Sequence, residues 1–227
     1  MLFFKDKLYV YGGARSLTPQ RDTTLQDLWS WDGKKWEFVV NGPALETPYL
    51  VNIKGDLTLC GYPDSDHKDF EIWQFKKKQF KKIFYYKDIN IDRGQGPLKV
   101  SQKDNQIITA NFQGDTLCIY SLYKEVKVTY CSPIPNRTRF GFIWQPQHKK
   151  YYLFGGRNES GDLNDFWQID EAGNAQKLPD VNLPEPRSAF SWLTTSTGML
   201  LYGGVLKNGA VLSNELFQYN NSWQKLK

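Results

Sequence analysis

The sequence predicts an all-β fold in which about five four-stranded antiparallel sheets stand around an axis as the blades of a β-propeller. Three observations support this prediction. An apolar run that ends in two glycines occurs three times, each time followed by a polar stretch and an aromatic-rich run. Short alternating or apolar runs recur between turn residues along the whole chain. The pattern returns every 44 to 50 residues, a spacing typical of four-stranded units.

The repeated unit is clearest at residues 151–156, an apolar run with its diglycine, followed by the aromatic-rich run at 164–170. The same two runs occur at residues 8–13 and 27–32, and again at 199–204 and 214–219. An internal repeat reflects one supersecondary unit copied along the chain. These three copies therefore set the expected length and strand content of the other units.

Each unit is expected to contain four strands, a to d, because Gly, Pro, Asn and Asp interrupt the alternating runs. In the first unit, Asp32 and Gly33 predict a tight hairpin between strands c and d, and the Asn-Gly-Pro triplet at 41–43 ends the unit. The predicted strands of the first unit are residues 1–4, 8–11, 28–31 and 35–40.

The second and third units have the same period and the same order of apolar runs, but they lack the diglycine. Gly61 and Asn111 occupy the position of its first glycine. Their assignment depends on period and alternation. The predicted strands of the second unit are residues 49–53, 57–61, 70–75 and 79–84. Those of the third unit are residues 98–101, 106–111, 116–121 and 125–130.

The fourth and fifth units carry the full pattern again, with Gly155 and Gly203 as their first glycines. The predicted strands of the fourth unit are residues 140–145, 151–154, 165–169 and 175–178. Those of the fifth unit are residues 189–193, 199–202, 215–219 and 222–226. No stretch shows a useful helical periodicity.

A four-stranded sheet cannot cover both of its own faces, and radial packing of successive sheets solves this problem. We therefore expect one β-propeller domain over residues 1–227. Its blades are expected at about residues 1–41, 48–85, 97–131, 139–179 and 187–227.

Composition limits the functional classes. The chain has 227 residues, 15% aromatic residues and a mean hydropathy of -0.58, which suits many short strands and excludes a disordered chain. No apolar run approaches the roughly 20 residues that a membrane-spanning helix needs, so no membrane span is expected. The first residues do not have the pattern of a signal peptide.

The formal charge of +5 is modest and comes partly from the lysine-rich stretch at residues 76–82. A solvated hairpin tip explains this stretch, and a patch for nucleic acid or an anionic membrane is the alternative; nucleic acid is the less expected partner. The cysteine spacings match no zinc pattern. Cys60 and Cys118 are interpreted as small buried strand residues, and one disulfide plus a free thiol stays open.

The diglycine, the acid-apolar-aromatic strand and the tryptophan that follows together resemble the kelch repeat. The residues that carry the resemblance are Gly12, Gly13, Trp29, Trp36, Gly155, Gly156, Trp167, Gly203, Gly204, Phe217 and Trp223. Glycines at the end of strand b allow positive φ or close backbone approach, and aromatic side chains fill the wedge between blades. The resemblance implies a kelch-type propeller, and most kelch domains are interaction modules.

The repeat also bears on the start of the chain. Arg139 and Arg187 each lie 16 residues before the first glycine of their unit, a position that in the first unit falls four residues before Met1. From this we expect that the N-terminus is truncated. Kelch propellers usually have six or seven blades, so two alternatives stay open: the five blades close a small propeller, or they are part of an incomplete larger one. The cellular location therefore stays unknown, since a truncated chain would also have lost any targeting segment.

No constellation for catalysis is evident. His67 and His148 both lie in predicted turns, and a metal site would need more ligands at suitable spacing; we expect no metal and no cofactor. Paired carboxylates could be assembled between blades, and Asp22, Asp162 and Asp165 are the loop candidates. Enzymatic activity is left open, with a non-enzymatic role favoured.

Binding is expected on the face of the propeller that carries the long b–c and d–a connections, because long loops on a rigid scaffold commonly carry function. The b–c connections are residues 14–26, 62–69, 157–164 and 205–213, and the d–a connections are 41–48, 85–97, 132–138 and 180–186. The predicted partner-binding residues are Arg15, Arg21, Arg137, Arg139, Arg157 and Arg187, with Arg93 nearby. Guanidinium groups suit carboxylates and phosphates. Alternatively, these arginines tie loops together.

The sequence thus favours a non-enzymatic propeller that binds a protein or acidic peptide through this face. The alternative is a carbohydrate-binding propeller or a sugar epimerase similar to sialic-acid mutarotases, in which arginines would hold the carboxylate of an anionic glycan.

Overall fold

The computed structural model describes residues 1–18, 21–63, 69–87, 99–123 and 125–226. These residues form five four-stranded antiparallel sheets in which strand order follows chain order, apart from a short ribbon inserted in the fifth. The fold class is therefore an all-β propeller with five four-stranded blades, as the sequence predicts. The chain divides into two compact units, Met1–Ile91 and Asp92–Lys227, which are described separately. A single domain over residues 1–227 stays a prediction.

The first unit contains two blades. The first blade has strands β1 (Leu2–Phe4), β2 (Lys7–Thr18), β3 (Arg21–Trp31) and β4 (Trp36–Asn41). The second has β5 (Glu46–Ile53), β6 (Asp56–Tyr62), β7 (Phe70–Lys76) and β8 (Gln79–Tyr86). The turns form where the sequence allows positive φ or caps the chain. For example, the Asp32 carboxylate accepts hydrogen bonds from the backbone N–H groups of Lys34 and Lys35, at 2.8 and 2.9 Å.

One face of the first blade packs on the second blade, as the alternation in both predicts. The buried members of this core are Tyr11, Leu28, Leu45, Leu50, Leu57 and Leu59. The opposite face of the first blade is different, because Phe3, Trp29 and Phe38 are 70%, 37% and 53% exposed.

The second unit begins with the third blade, formed by β9 (Lys99–Lys103), β10 (Gln106–Gln113), β11 (Thr116–Tyr123) and β12 (Glu125–Ser132). A disulfide joins Cys118 on β11 to Cys131, the residue directly opposite on β12. Cys60 is buried and carries no disulfide. The three cysteines therefore form one disulfide and leave one free thiol, which is the possibility that the sequence left open.

The fourth and fifth blades complete the second unit. The fourth has β13 (Gly141–Gln145), β14 (Lys150–Asn158), β15 (Gly161–Ile169) and β16 (Ala175–Lys177). The fifth has β17 (Ser191–Thr195), β18 (Gly198–Tyr202), β21 (Leu216–Tyr219) and β22 (Trp223–Leu226). Between β18 and β21 lie the two-stranded ribbon β19 (Val205–Leu206) and β20 (Val211–Leu212) and a 3₁₀ turn, Lys207–Gly209.

Aromatic side chains fill the spaces between these blades. The fourth blade packs against the third through a cluster that includes Phe112, Phe140 and Trp144, and against the fifth through one that includes Phe154, Phe166 and Trp223. The wedge-filling role predicted for the aromatic residues is thus seen in this unit. Within the described residues, no helix combines the length and apolar character that crossing a bilayer would require.

Two predicted loops are wrong. Residues 14–26 and 157–164 were expected to be long b–c loops, but β2 and β3 pair as far as Thr18 and Arg21, and β14 and β15 as far as Asn158 and Gly161. In these two blades the diglycine does not end strand b. It forms a bulge, where the register shifts between Tyr11 and Gly13 and between Phe154 and Gly156, and the strand continues beyond it. In the fifth blade strand b does end at Tyr202, directly before the diglycine.

Candidate functional site

The most elaborate polar site lies at the diglycine of the fifth blade and is organised by Arg187, whose side chain is fully buried. Its Nε donates to the carbonyl of Glu185 at 3.0 Å, and its Nη1 to the carbonyl of Gly203 at 3.0 Å. Its Nη2 pairs with Glu215 at 2.8 Å. The guanidinium also lies 4.9 Å from the ring centre of Phe217. We call this arrangement the arginine corner.

The fourth blade has the same arginine corner. Arg137, with a side chain 1% exposed, donates from Nε to the carbonyl of Pro135 at 3.0 Å and from Nη1 to the carbonyl of Gly155 at 3.3 Å, and it pairs with Asp165. Both corners therefore use one arginine, the carbonyl of the first glycine and one acid 28 residues later. Because each buried cation has a carboxylate and several acceptors, its desolvation is compensated.

The acid of each corner belongs to the acid-apolar-aromatic motif. In the fourth blade, Trp167 donates from Nε1 to Asp165 at 2.6 Å, two residues away. In the fifth, where the aromatic residue is Phe217, Lys225 donates to Glu215 instead, at 2.6 Å. The hydrogen bonds from Lys225 and Arg187 lower the pKa of Glu215 to about 2. Both acids are thus engaged as ion-pair partners of a buried arginine.

The expected equivalence of Arg139 and Arg187 is wrong, because the residue that occupies the corner of the fourth blade is Arg137. The reason is the a–b hairpin. Four residues, 146–149, connect β13 to β14, whereas two residues, 196–197, connect β17 to β18. The distance from the corner arginine to the first glycine is therefore two residues longer in the fourth blade. The constant separation of 28 residues between arginine and acid is the sequence signal that identifies the correct pair.

A second polar cluster joins the extended hairpin of the fourth blade to the ribbon of the fifth. Arg157 donates from Nε to Asp162 at 2.8 Å, and the backbone N–H of Asn208 donates to the same carboxylate at 2.7 Å. Asn208 Oδ1 in turn accepts from the backbone N–H of Asp162 at 2.9 Å. Burial acts to raise the pKa of Asp162, but the hydrogen bonds from Arg157 and Asn208 hold it below its usual value.

Exposed charged and apolar residues adjoin this cluster, either in the chain near Asn208 or next to Thr138, which exchanges backbone hydrogen bonds with Arg157. Arg139 and Lys207 are exposed. Val211 and Leu212, on β20, are 40% and 82% exposed. We call these four residues the hairpin surface. Its backbone is fixed, since Arg139 accepts from the N–H of Ala189 at 2.9 Å, and Ser188 and Val205 exchange two hydrogen bonds.

The remaining predicted site residues are placed as follows. Arg15 and Arg21 lie on β2 and β3, and their side chains, like that of Asp22, are outside those the structure describes. Arg93 and His67 lie outside the described residues. Of the six predicted partner-binding arginines, Arg137 and Arg187 have buried side chains, Arg157 is partly exposed and paired with Asp162, and Arg139 is exposed. The arginine corners match the alternative in which arginines tie loops together.

The remaining polar groups that the structure describes do not form a metal site. His148 lies in the β13–β14 turn and shares a 2.7 Å hydrogen bond with the hydroxyl of Tyr152. Among the described residues, no group of three or more His, Cys, Asp or Glu side chains is placed to hold a metal ion. In comparisons with known proteins, the chain matches no family model and no curated protein; the propeller fold is therefore read from its own five sheets.

Proposed function

We propose that this chain is a non-enzymatic, kelch-like propeller that binds an acidic segment of a protein or peptide partner through the hairpin surface. The observation that carries the proposal is the position of Arg139. Among the predicted partner-binding arginines whose side chains are described, Arg139 is the exposed one. Its carbonyl accepts a hydrogen bond from the N–H of Ala189, which anchors its backbone. An exposed guanidinium on an anchored backbone suits a carboxylate ligand, which it can hold with two parallel hydrogen bonds.

The support beneath the hairpin surface is rigid. The cluster of Arg157, Asp162 and Asn208 connects two hairpins whose residues are 46 positions apart in the chain. Gly161 is fitted to this contact, since a Cβ on it would lie 2.7 Å from Asn208 Oδ1. A surface held in one conformation loses little entropy when a partner binds, which favours affinity.

The hairpin surface also has exposed apolar side chains that a bound partner would bury. Leu212 is 82% exposed at the end of a short ribbon, and Val211 beside it is 40% exposed. Interfaces commonly combine a buried apolar anchor with charged groups at the rim. The expected ligand is therefore a peptide in which an apolar residue lies near Asp or Glu.

The test is a binding screen of the whole chain against peptides that combine acidic and apolar residues, with sialylated glycans as a second panel. Arg139→Glu should weaken peptide binding by about fivefold or more, since reversing a contacting charge costs on the order of 1 kcal/mol. Leu212→Asp should abolish it.

The matched control is Lys149→Glu, in the β13–β14 turn of the same blade. Lys149 and Arg139 are both exposed and both have positive φ, 51° and 54°, so the two variants carry the same charge change and similar backbone strain. Equal weakening by both variants would reduce the effect to net charge and contradict the proposed surface. Binding restricted to sialylated glycans would favour the carbohydrate alternative.

A further inference from the structure

The turns at one end of the first unit are rich in lysine. In each of its two blades the a–b and c–d turns lie at the same end of the sheet, because four antiparallel strands follow one another in chain order. These four turns and the strand residues that flank them contain eight lysines and three acids, and seven of the lysines are exposed. We call the eight lysines the basic end. They are Lys5, Lys7, Lys34, Lys35, Lys54, Lys76, Lys77 and Lys78.

The turns of the two blades lie side by side. Residues 42–45 connect β4 to β5 at the opposite end of the sheets. Close to the turns, Phe4 of the first blade and Phe75 and Phe80 of the second pack against the same core. The basic end is therefore one surface formed by both blades, and the lysine-rich stretch at residues 76–82 is only part of it.

The second unit gives a comparison within the same chain. The five a–b and c–d turns that the structure describes there, with their flanking strand residues, contain three lysines and three acids. Turns with the same place in a blade are thus electrically balanced in one unit and strongly basic in the other. The basic end is not a general property of these turns.

The acids of the first unit neutralise only part of this charge. Lys76 pairs with Asp56 at 3.2 Å, and Lys35 with Glu37 at 2.8 Å. The lysines at the tips are different. Lys34, Lys77 and Lys78 form no ion pair with any acid that the structure describes. Their charge is available to an anionic partner.

The backbone supports a role for these lysines beyond solubility. Three of the four turns are two-residue hairpins in which both central residues have positive φ, and the first of the two is Lys5, Lys54 or Lys77, at 47°, 54° and 50°. In the last of these turns the second residue is also a lysine, Lys78, at 60°. Asn-Gly is the favoured pair in such a turn, since a Cβ is strained at positive φ. Lysine at these positions gains nothing for the turn, which indicates that its charge is used.

We propose that the basic end binds the surface of a membrane that contains anionic lipids, with the lysine ammonium groups among the lipid headgroups. A cluster of this size is typical of proteins held at such a surface by charge. The attraction is diffuse and needs no fixed geometry, which suits the compact ammonium group of lysine. The basic end contains no arginine, whereas arginine makes the commonest specific contact to nucleic-acid bases. Hairpin tips spread over two blades also match a broad surface better than a single strand in a groove.

The test is co-sedimentation of the full chain with vesicles of phosphatidylcholine that contain about 30% phosphatidylserine, against vesicles of phosphatidylcholine alone. The variant is Lys77→Asn with Lys78→Gly, which removes two charges and installs the pair that the turn prefers. It should therefore fold at least as well as the unmodified chain, as its thermal midpoint will show. The control is Lys149→Glu, in the β13–β14 turn of the second unit, which changes the net charge by the same amount.

The chain should bind the anionic vesicles and not the neutral ones, and high salt should release it. The double variant should weaken binding by about tenfold or more, because each lysine near such a surface contributes about fivefold. Lys149→Glu should bind as the unmodified chain does.

Four results would overturn the proposal: no binding to the anionic vesicles, equal binding to neutral ones, equal losses for the double variant and Lys149→Glu, or binding of a labelled oligonucleotide, lost in the double variant, without binding of vesicles. The last result would assign the basic end to nucleic acid. The basic end lies in the first unit and the hairpin surface in the second, so either proposal can fail alone.

Discussion

The third and fifth blades hold their strands together by different interactions. In the fifth blade, pairing between strands b and c runs from Met199 to Tyr202, and at the diglycine the strands part around the guanidinium of Arg187. In the third blade, which lacks the diglycine, the equivalent ladder continues without a shift from Ile107 to Gln113. There a disulfide from Cys118 to Cys131 joins strands c and d.

This difference shows what the diglycine is for. A four-stranded blade forms without it, so the two glycines are not needed for the sheet itself. They are needed where the backbone must turn with positive φ and let another segment approach, as Gly203 and Gly204 do at φ of 71° and 103°. In the fourth and fifth blades the diglycine accompanies a buried arginine, whereas the third blade, which lacks it, is held by its uninterrupted ladder and a disulfide.

The largest expected effect is at the arginine corner of the fifth blade. Arg187→Met should lower the free energy of unfolding by about 3–5 kcal/mol, because it removes the buried partner of Glu215, which keeps only its outer partners, and the donor to the carbonyl of Gly203. Urea unfolding followed by tryptophan fluorescence measures this loss. Arg187→Lys, which keeps the charge but not the forked geometry, should recover part of it. A loss below about 1 kcal/mol for Arg187→Met would show that the arginine corner does not stabilise the fold appreciably.

The next effect is in the third blade. Breaking the disulfide should cost about 3 kcal/mol, the chain-entropy value for a short loop, here closed by residues 13 positions apart. Reductant should therefore lower the thermal midpoint, and Cys131 is exposed to it. The variant Cys131→Ser should show the lower midpoint already and should not respond to reductant. A response to reductant in that variant would assign the effect elsewhere.

A smaller effect is the acid sensitivity of the fifth blade. The folded-state pKa of Glu215 is about 2, against an ordinary value of 4.5, so its ion pairs stabilise fully above about pH 4.5 and are lost as the pH falls toward 2. The contribution is about 1–2 kcal/mol after allowance for solvent screening. Glu215→Gln should therefore lose less stability than the unmodified chain between pH 5 and 3, as measured by urea titrations. Parallel losses would contradict this assignment.

The smallest effect concerns the outer partner of Glu215. Lys225 is 61% exposed in its side chain, so Lys225→Ala should cost about 0.5 kcal/mol or less, and the cost should decrease further in high salt. Thermal midpoints at low and high salt measure it. A cost close to that of Arg187→Met would mean that Lys225, and not the buried arginine, dominates the corner.

Much of the fold could be predicted because apolar and polar residues alternate along the strands. The eight strands of the second and third blades lie within a few residues of their predicted bounds, although both units lack the diglycine. The b–c loops at residues 14–26 and 157–164 could not be predicted, since Gly and polar residues indicate turns and bulges alike. Only the pairing beyond Gly13 and Gly156 shows that these glycines interrupt the ladder without ending it.

The candidate site could be predicted less well. The sequence identified the arginines and their b–c and d–a locations, but spacing alone does not show whether a side chain points into the sheet or away from it. Arg137 and Arg139 are two residues apart, and one is buried while the other is exposed. The separation of 28 residues between Arg137 and Asp165 was present in the sequence and carried the missing information.

Arg187 also has a consequence for how the molecule opens. Its side chain serves the fifth blade, but its backbone N–H donates to Leu163 and its carbonyl accepts from Gly156, both at 2.9 Å in the fourth blade. Neither sheet can fray at this end without breaking a bond of its neighbour. Amide protons around Gly156 and Gly203 should therefore exchange with deuterium in concert, as one cooperative element and not as two independent repeats.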